Sequence, residues 1–315
     1  MTTAQVLAPR RRTPEAAAVH PMRWMLTDAL TMTWRNLVAY TRVPEAVFFS
    51  TLQPIMFVLL FRYVFGGAIH VPGSGGYVDY LMPGIFVQTV AFGSIGTSIG
   101  LSEDLHKGLI ERFRALPMAR SAVLAGRTTA DLVRNVFVVA LMTGVGYLVG
   151  FRVLTNAGSF LVGVLILLLF GYALSWGFAV VGLSAPTSET AQLMSFPLLF
   201  PLAFASSAFV PVGSMPSWLQ GFAAHQPFSV TVNAARSLMV GGTYTSHTSE
   251  WHAAVWAIGI FVVLAPLAVW RYRRTAWAPM WRSLPVRRRR PGRAVRRGVR
   301  PPGPEPGPWS PGRGP

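Results

Sequence analysis

The sequence offers few residues that could do covalent chemistry, and the run GTSIG, Gly96 to Gly100, comes closest to a reactive motif. It matches the G-x-S-x-G spacing of a serine nucleophile, which requires a strand-to-helix turn and a histidine partner. Here the run lies inside a predicted apolar helix. Five of the six histidines lie outside the predicted membrane spans, and His252 is at the start of the sixth. The two glycines also have the small-xxx-small spacing that lets helices approach closely. We therefore interpret this motif as a helix-packing site.

The sequence also lacks the common motifs of metal-binding and nucleotide-binding sites. The run HTSEWH places His247 and His252 five residues apart, about 140° around a helix, whereas the zinc-protease motif places two histidines on one face. The chain has no cysteine, so thiolate ligands are excluded. Its one lysine, Lys107, is not part of a G-x-x-x-x-G-K-[ST] phosphate loop. We expect no metal site, no cofactor bound by this chain and no ATP hydrolysis of its own.

The composition places the chain in a membrane. Of 315 residues, 52% are hydrophobic and 12% are charged, against roughly 25% charged in soluble domains. A spanning helix needs about 20 mostly apolar residues. The sequence therefore predicts an all-α integral membrane protein with six transmembrane helices, at about 46–65, 80–101, 129–150, 157–183, 190–211 and 251–271. The third contains Asp131 and Arg134, and prolines interrupt the fifth.

The distribution of basic residues predicts the orientation. Of the 28 Lys and Arg, 25 fall in residues 1–45, in residues 102–134, which include the start of span three, or from residue 271 onward, at the end of span six and beyond it. The positive-inside rule then predicts both termini in the cytoplasm. Residues 1–21 and the Arg/Pro/Gly-rich tail 273–315 cannot bury a core, and their composition predicts disorder. The tail is interpreted as a topogenic signal, with contact to anionic lipids as the alternative.

The pattern of residues 22–42 predicts a separate helix before span one. Leu26, Leu30 and Trp34 recur at helical spacing, with charged residues off that line, and Pro44 then restarts the chain. An interfacial helix along the inner leaflet fits this pattern. A longer, tilted first span is the alternative.

A charged segment, residues 103–116, separates spans two and three. Read as one helix, it has an apolar stripe through Leu105 and Leu109, while Glu103, Lys107 and Glu111 alternate in charge at i, i+4 spacing. It is too short and too charged to cross a bilayer. Two interpretations remain open from this pattern, an ordinary solvated loop and a docking element for a soluble cytoplasmic protein.

Two blocks of sequence resemble a known family. The run YVDYLMPGIFVQTVAF, followed by EDLHKGLIERFRALPMARSAVLAGR, resembles the membrane subunit of type-2 ABC transporters, specifically the daunorubicin/doxorubicin-resistance-like permeases. The block FVPVGSMPSWLQGFAAHQPFSVTVNAARSL, residues 209–238, agrees with it. The resemblance covers about residues 22–272, the predicted permease domain. Gln226-Pro227 departs from the Asn-Pro that such permeases often carry.

The resemblance implies a coupling role for the charged segment. It resembles the coupling helix that sits in a groove of a separate ATPase subunit, which would supply the ATP and Mg²⁺ chemistry. Two permeases would pair with two ATPases, so a homodimer or a paired permease is implied. The residues expected to couple to the ATPase are Glu103, Asp104, Lys107, Gly108, Glu111, Arg112, Phe113 and Arg114.

The resemblance also implies a substrate cavity between spans two and five of the two subunits. Aromatic and polar side chains there would suit flat, amphipathic, often cationic drug-like compounds. Each phenylalanine has the alternative of facing lipid or packing between helices. The expected pathway residues are Phe86, Gln88, Thr89, Phe92, Phe196, Phe200 and Phe204.

Other functions remain as alternatives. Within transporters, a lipid or lipid-linked saccharide could replace a drug as the substrate. An intramembrane enzyme would need a nucleophile, base or metal set within the spans, and none is evident. A non-transporting scaffold or sensor with a basic tail that binds lipid or nucleic acid is the third class, although stacking aromatics are not interleaved with the tail charges. Asp131 and Arg134, at i, i+3, are expected to form an ion pair, with a proton or drug relay as the lesser alternative.

Overall fold

The structure is a computed structural model that describes residues 22–42, 44–69, 76–109, 120–244 and 247–277. Within these ranges the chain is helical and contains no β-strand. The helices are α1 Met22–Thr41, α2 Pro44–Leu59 with a π-helical continuation Leu60–Phe65, α3 Tyr77–Gly93, α4 Ile95–His106, α5 Arg120–Val149, α6 Ala157–Gly182, α7 Ser188–Phe204, α8 Ser217–His225, α9 Pro227–Met239 and α10 His247–Trp277. Short 3₁₀ turns occupy Val212–Ser214 and Gly242–Tyr244. Residues 1–21 and 278–315 of the predicted disordered segments lie outside the described residues. The prediction of disorder is wrong for residues 273–277, which continue α10.

Four stretches of the described chain are long and apolar enough to cross a membrane. They are Tyr77–His106, Ser121–Val149, Ala157–Gly182 and Ser249–Arg274, which correspond to predicted spans two, three, four and six. The helices at the first and fifth positions are shorter. Thr51–Phe65 is a short apolar helix, and α7 ends at Phe204 rather than at the predicted residue 211 because its two internal prolines weaken its hydrogen-bond ladder.

The helix α1 is separate from α2, as the interfacial interpretation requires. Leu26 and Trp34 are 63% and 69% exposed on one face. Met32 and Asn36 on the other face are buried, and α1 packs along the first half of α5. An apolar exposed face opposite a packed face is the pattern expected of a helix that lies on a bilayer surface.

The helix α6 contacts much of the bundle. It packs against α3, α4, α5, α9 and α10, and its mostly apolar sequence leaves Leu161 and Leu165 exposed on another face, as expected of a membrane helix that also faces lipid. Gly182 brings α6 against the backbone of α4, because a methyl group there would overlap the carbonyl of Ser98. Ser94, at the break between α3 and α4, donates a hydrogen bond to the Gly171 carbonyl of α6 at 2.9 Å.

The segment between α7 and α10 folds back into the bundle. Phe228 and Met239 of α9 are buried in the same apolar core as α3 and α6. Gln226, the residue that departs from the family pattern, donates from Nε2 to the Leu202 carbonyl at 3.0 Å and to the Ala205 carbonyl at 2.5 Å. It therefore ties the start of α9 to the end of α7, and Pro227 occupies the first turn of α9, where its missing N–H costs nothing.

Candidate functional site

A cavity of about 270 Å³ opens between α2, α3, α4, α5 and α7. Three phenylalanines form its apolar part, and Phe92 meets Phe196 edge-on with ring centroids 6.1 Å apart. Amide side chains from four helices supply polar groups. The lining residues are Gln53, Pro54, Phe57, Gln88, Thr89, Phe92, Gly93, Ile95, Gly96, Ile99, Arg134, Asn135, Val138, Gln192 and Phe196.

The structure brings together four of the seven predicted pathway residues. Gln88, Thr89, Phe92 and Phe196 line the cavity. Phe86 does not, because it is fully buried and packs edge-on against Phe151 at 6.0 Å.

Phe200 and Phe204 lie outside the cavity in an aromatic stack. Their ring centroids are 4.2 Å apart, and Phe204 continues the stack to Phe209 at 5.3 Å. Phe209 in turn stacks on Phe61 at 4.5 Å. The stack joins the end of α7 to the end of α2.

One wall of the cavity carries a guanidinium. Arg134 donates from Nη2 to the Gly93 carbonyl at 2.6 Å and to Asn135 Oδ1 at 3.3 Å. The carbonyl of Gly93 lies at the break between α3 and α4, where a helix end leaves acceptors free. The Nε atom of Arg134 is buried and has no hydrogen-bond partner within the described residues.

Asp131 lies behind this wall and is fully buried. The predicted Asp131–Arg134 ion pair is present but long, with Nε and Oδ1 4.0 Å apart. The shorter contacts of Asp131 come from the hydroxyls of Tyr40 and Thr97, which both donate to its carboxylate. One carboxylate therefore faces two guanidiniums on α5, because Arg127 on the preceding turn interacts electrostatically with Asp131 as well.

Tyr40 connects the interfacial helix to this cluster. Burial and the neighbouring Asp131 carboxylate raise the pKa of Tyr40 to about 12. The phenol therefore keeps its proton at physiological pH and remains a hydrogen-bond donor. The guanidiniums of Arg127 and Arg134 lie 5.7 and 5.8 Å from the centre of its ring.

The GTSIG run is a packing site, as predicted, but it contacts the side chain of Arg127 as well as the helix α7. Arg127 Nη2 donates to the Gly96 carbonyl at 2.8 Å. A methyl group at Gly100 would overlap the guanidinium of Arg127. Ser98 is buried and accepts a hydrogen bond from Ser195 Oγ of α7 at 3.2 Å. The glycines thus admit an arginine between two helices.

The predicted coupling segment is described only in its first part. Lys107 and Glu103 form the predicted i, i+4 salt bridge at 3.0 Å, and both side chains are exposed. The prediction of one continuous helix over 103–116 is wrong, because α4 ends at His106 and Gly108 has a φ of +65° that favours glycine. Glu111, Arg112, Phe113 and Arg114 lie outside the described residues.

The side chain of Asp104 packs against another helix of the same chain. Its carboxylate forms a salt bridge with Arg35 Nη2 of α1 at 2.7 Å, and its side chain is 12% exposed. The interfacial helix is therefore fastened to the end of α4, immediately before the predicted coupling segment. Contact of Asp104 with an ATPase stays a prediction.

Exchanging the charges of this salt bridge is expected to reveal its contribution. Arg35→Asp and Asp104→Arg should each lower the free energy of unfolding by about 1–2 kcal/mol, because each places like charges together. The double variant should recover most of the loss in thermal unfolding of the purified protein. Lys107→Glu, at the exposed pair, is the control and should cost about 0.5 kcal/mol. Strictly additive losses in the double variant would show that the two residues do not interact.

Sequence reasoning missed several cavity residues. Gln53 and Gln192 each interrupt an apolar run, in TLQPIMF and ETAQLMSF, and a polar side chain within a span is itself a functional signal. Asn135 follows Arg134 on α5 and could have been found in the same way. Phe57 carries no such signal, because apolar side chains are ordinary in a membrane helix.

Comparison with known proteins agrees with this architecture. Residues 27–240 match the family described as "ABC-2 type transporter". The chain belongs to that family. It resembles the daunorubicin resistance ABC transporter permease protein DrrB1 of Streptomyces coeruleorubidus, with 35% identity over 274 residues that cover 83% of this chain and 92% of the relative.

Two mycobacterial proteins are also similar. The "Probable doxorubicin resistance ABC transporter permease protein DrrC" of Mycobacterium tuberculosis is 30% identical, with 81% of this chain and 91% of the relative covered. The doxorubicin resistance permease protein DrrB of the same organism is 25% identical, with 79% and 90% covered. The ABC-2 permease is thus a multi-pass membrane protein, of the plasma membrane in bacteria, and its family implies a separate ATPase partner.

Proposed function

We propose that this permease forms the translocation pathway of an ATP-driven exporter for hydrophobic or amphipathic drug-like compounds. This proposal rests on the cavity, which combines three phenylalanines with amides and a guanidinium from four helices. Concave, mostly apolar sites with a few placed polar groups are typical of small-molecule binding. The resistance named for the relatives supports a drug-like substrate.

The proposed topology has six spans with both termini inside. The four long apolar helices supply spans two, three, four and six. We assign α2 with its π-helical end to span one, and α7, which contains two prolines, to span five. The basic residues clustered before α2, between α4 and α5, and after α10 support this orientation.

The proposed complex contains two permeases and two ATPase subunits. ATP and Mg²⁺ would bind to the ATPases, and the segment after α4 would transmit their closure. The Asp104–Arg35 salt bridge and the exposed Glu103–Lys107 pair support this role, because a force applied at the segment would reach both α4 and α1. The cavity residues Gly93, Gly96 and Ile99 lie on or beside the same α3–α4 unit.

Reversing one charge in the segment tests the proposal. The Glu111→Arg variant should reach the membrane at the wild-type level, lose the ATPase subunit on purification and lose ATP-dependent export of amphipathic compounds from cells. Within one helix the reversal costs only a few tenths of a kcal/mol, whereas in a docked interface it costs about 2–5 kcal/mol. Affinity purification followed by an ATPase assay gives the first readout.

A matched reversal controls for surface charge alone. Glu189 lies at the exposed start of α7, in the other connection assigned to the cytoplasm. Glu189→Arg should retain the ATPase and export. A Glu111→Arg variant that keeps both partner and export would contradict the coupling assignment.

A further inference from the structure

The charge of the cavity differs from what its aromatic side chains suggest. Phenylalanine faces attract cations, which favours a cationic substrate. Among the described residues that line the cavity, however, Arg134 has the only charged side chain, and no carboxylate is present. The positive charge of Arg134 would therefore repel a cation that the phenylalanine rings attract.

The nearby carboxylate does not cancel this charge. Asp131 faces the two guanidiniums of Arg127 and Arg134, so the cluster keeps one net positive charge. Its two carboxylate oxygens already accept hydrogen bonds from Tyr40 and Thr97. Asp104, the next carboxylate along the inner end, is paired with Arg35.

Arg134 also keeps donor capacity for a ligand. The hydrogen bonds to the Gly93 carbonyl and to Asn135 both use Nη2. The buried Nε atom faces Asp131 at 4.0 Å, so Nη1, which makes no hydrogen bond to a described residue, is the group left for a ligand. A guanidinium with free donors recognises carboxylate, sulfonate or phosphate oxygens. The amides of Gln53, Gln88 and Gln192 surround the remaining space and can donate to the same kind of group.

We propose that the cavity binds an amphipath whose polar end is anionic, placed against Arg134, with its apolar body between Phe57, Phe92 and Phe196. This inference rests on the proposed function, because it names the substrate class of that cavity. The anionic group could belong to an exported solute or to a membrane lipid. The shared chemistry is an oxyanion on an apolar body.

A cysteine placed in the cavity measures its charge preference directly. The chain has no native cysteine, so Gln53→Cys adds a single thiol on the cavity wall. The purified permease in phosphatidylcholine nanodiscs is treated with a sulfonate and a trimethylammonium methanethiosulfonate of similar size. The ratio of the sulfonate and ammonium modification rates is compared with the ratio measured at Ser217→Cys, an exposed position at the start of α8.

The sulfonate should be favoured over the ammonium reagent by roughly tenfold relative to the Ser217→Cys reference. One unit charge nearby changes each rate by about threefold or more, in opposite directions for the two reagents. Arg134→Gln should remove most of the preference. Gln192→Glu, which adds an opposing charge at an exposed lining position, should do the same without disturbing the Gly93 contact.

Protection experiments then identify the ligand. Modification of the Gln53→Cys variant by uncharged N-ethylmaleimide should be slowed at least threefold by 1-pyrenebutyrate and much less by 1-pyrenebutylamine. Protection by phosphatidylglycerol in the nanodisc, without added solute, would identify a lipid as the occupant. Protection by pyrenebutyrate alone would identify a solute, and either result supports the anionic class.

Three results would overturn the proposal. They are an unreactive thiol in the Gln53→Cys variant, a rate ratio equal to that of the reference, and stronger protection by the amine. These measurements use the permease without its ATPase, so a failure of partner binding or export leaves them unaffected. The proposed function and this inference can therefore fail separately.

Discussion

Replacing Asp131 with alanine is expected to lower the free energy of unfolding by about 3–5 kcal/mol, because removal of one partner leaves buried charge uncompensated. Asp131 is fully buried within a membrane-length helix. Its loss would deprive Arg127 and Arg134 of the carboxylate they share and would leave the hydroxyls of Tyr40 and Thr97 without their acceptor. The interfacial helix would lose its deepest contact with α5. Detergent-induced unfolding of the purified permease measures the change.

Two variants separate charge from hydrogen bonding. Asp131→Asn keeps the shape and most of the hydrogen bonds but raises the net charge of the cluster from one to two. Adding Arg134→Gln restores the original net charge, so the double variant should be more stable than Asp131→Asn alone. Glu189→Ala, at an exposed carboxylate, should cost about 0.5 kcal/mol. A fully stable Asp131→Ala protein would show that the two arginines do not need this carboxylate.

Sequence patterns predicted the elements of the fold better than their interruptions. Apolar length located the four membrane-length helices of the described chain, since hydropathy averages over about 20 residues. The break at Ser94 and the turn at Gly108 escaped prediction because each depends on one residue's backbone and on a neighbour's side chain. The early end of α7 follows from prolines that the sequence displays, but where the chain turns is decided by tertiary contacts such as those of Gln226.

The candidate site was predictable only in part for a related reason. Spacing and family resemblance pointed to Gln88, Thr89, Phe92 and Phe196, which share one cavity. Phe86 is a phenylalanine on the same helix as Phe92, yet its side chain is buried in the core. Which face of α3 meets α6 and which meets the cavity depends on packing partners distant in sequence. Arg134 was expected in an ion pair, and its position on the cavity wall required the three-dimensional arrangement.

Arg236 illustrates the same limit at the other end of the bundle, where it fastens α9 to α3. It is 3% exposed, and burial lowers the pKa of its guanidinium. Nε donates to the Tyr80 carbonyl at 3.1 Å, and Nη2 donates to the Ser207 carbonyl at 2.9 Å. Its guanidinium carbon lies 3.7 Å from the centre of the Tyr80 ring. Backbone carbonyls, the amide oxygen of Asn233 and an aromatic face thus replace a carboxylate partner. Helical spacing indicates Asn233 at i−3, but it does not indicate the partners on α3 or at Ser207.

Arg236→Met is therefore expected to lower the free energy of unfolding by about 3–5 kcal/mol. Each hydrogen bond from a charged donor contributes about 1.5–3 kcal/mol, and the variant would lose those to the Tyr80 and Ser207 carbonyls, leaving the Ser207 carbonyl with the Tyr80 hydroxyl as donor. The cation–π contact adds about 2 kcal/mol when desolvated, and the better burial of methionine offsets part of the loss. The detachment of α9 from α3 should also appear as faster hydrogen exchange in residues 205–240, measured by mass spectrometry.

Arg152→Met provides a closely matched control for this experiment. Arg152 also donates to two backbone carbonyls, of Tyr147 and Phe151 at 2.9 Å each, and lies 5.7 Å from a tyrosine ring. It is exposed, however, so water replaces its contacts, and the variant should lose less than about 1 kcal/mol. Equal losses from the two substitutions would mean that burial adds nothing at Arg236. Unchanged hydrogen exchange in α9 of the Arg236→Met protein would show that the helix is held to the bundle by its apolar face alone.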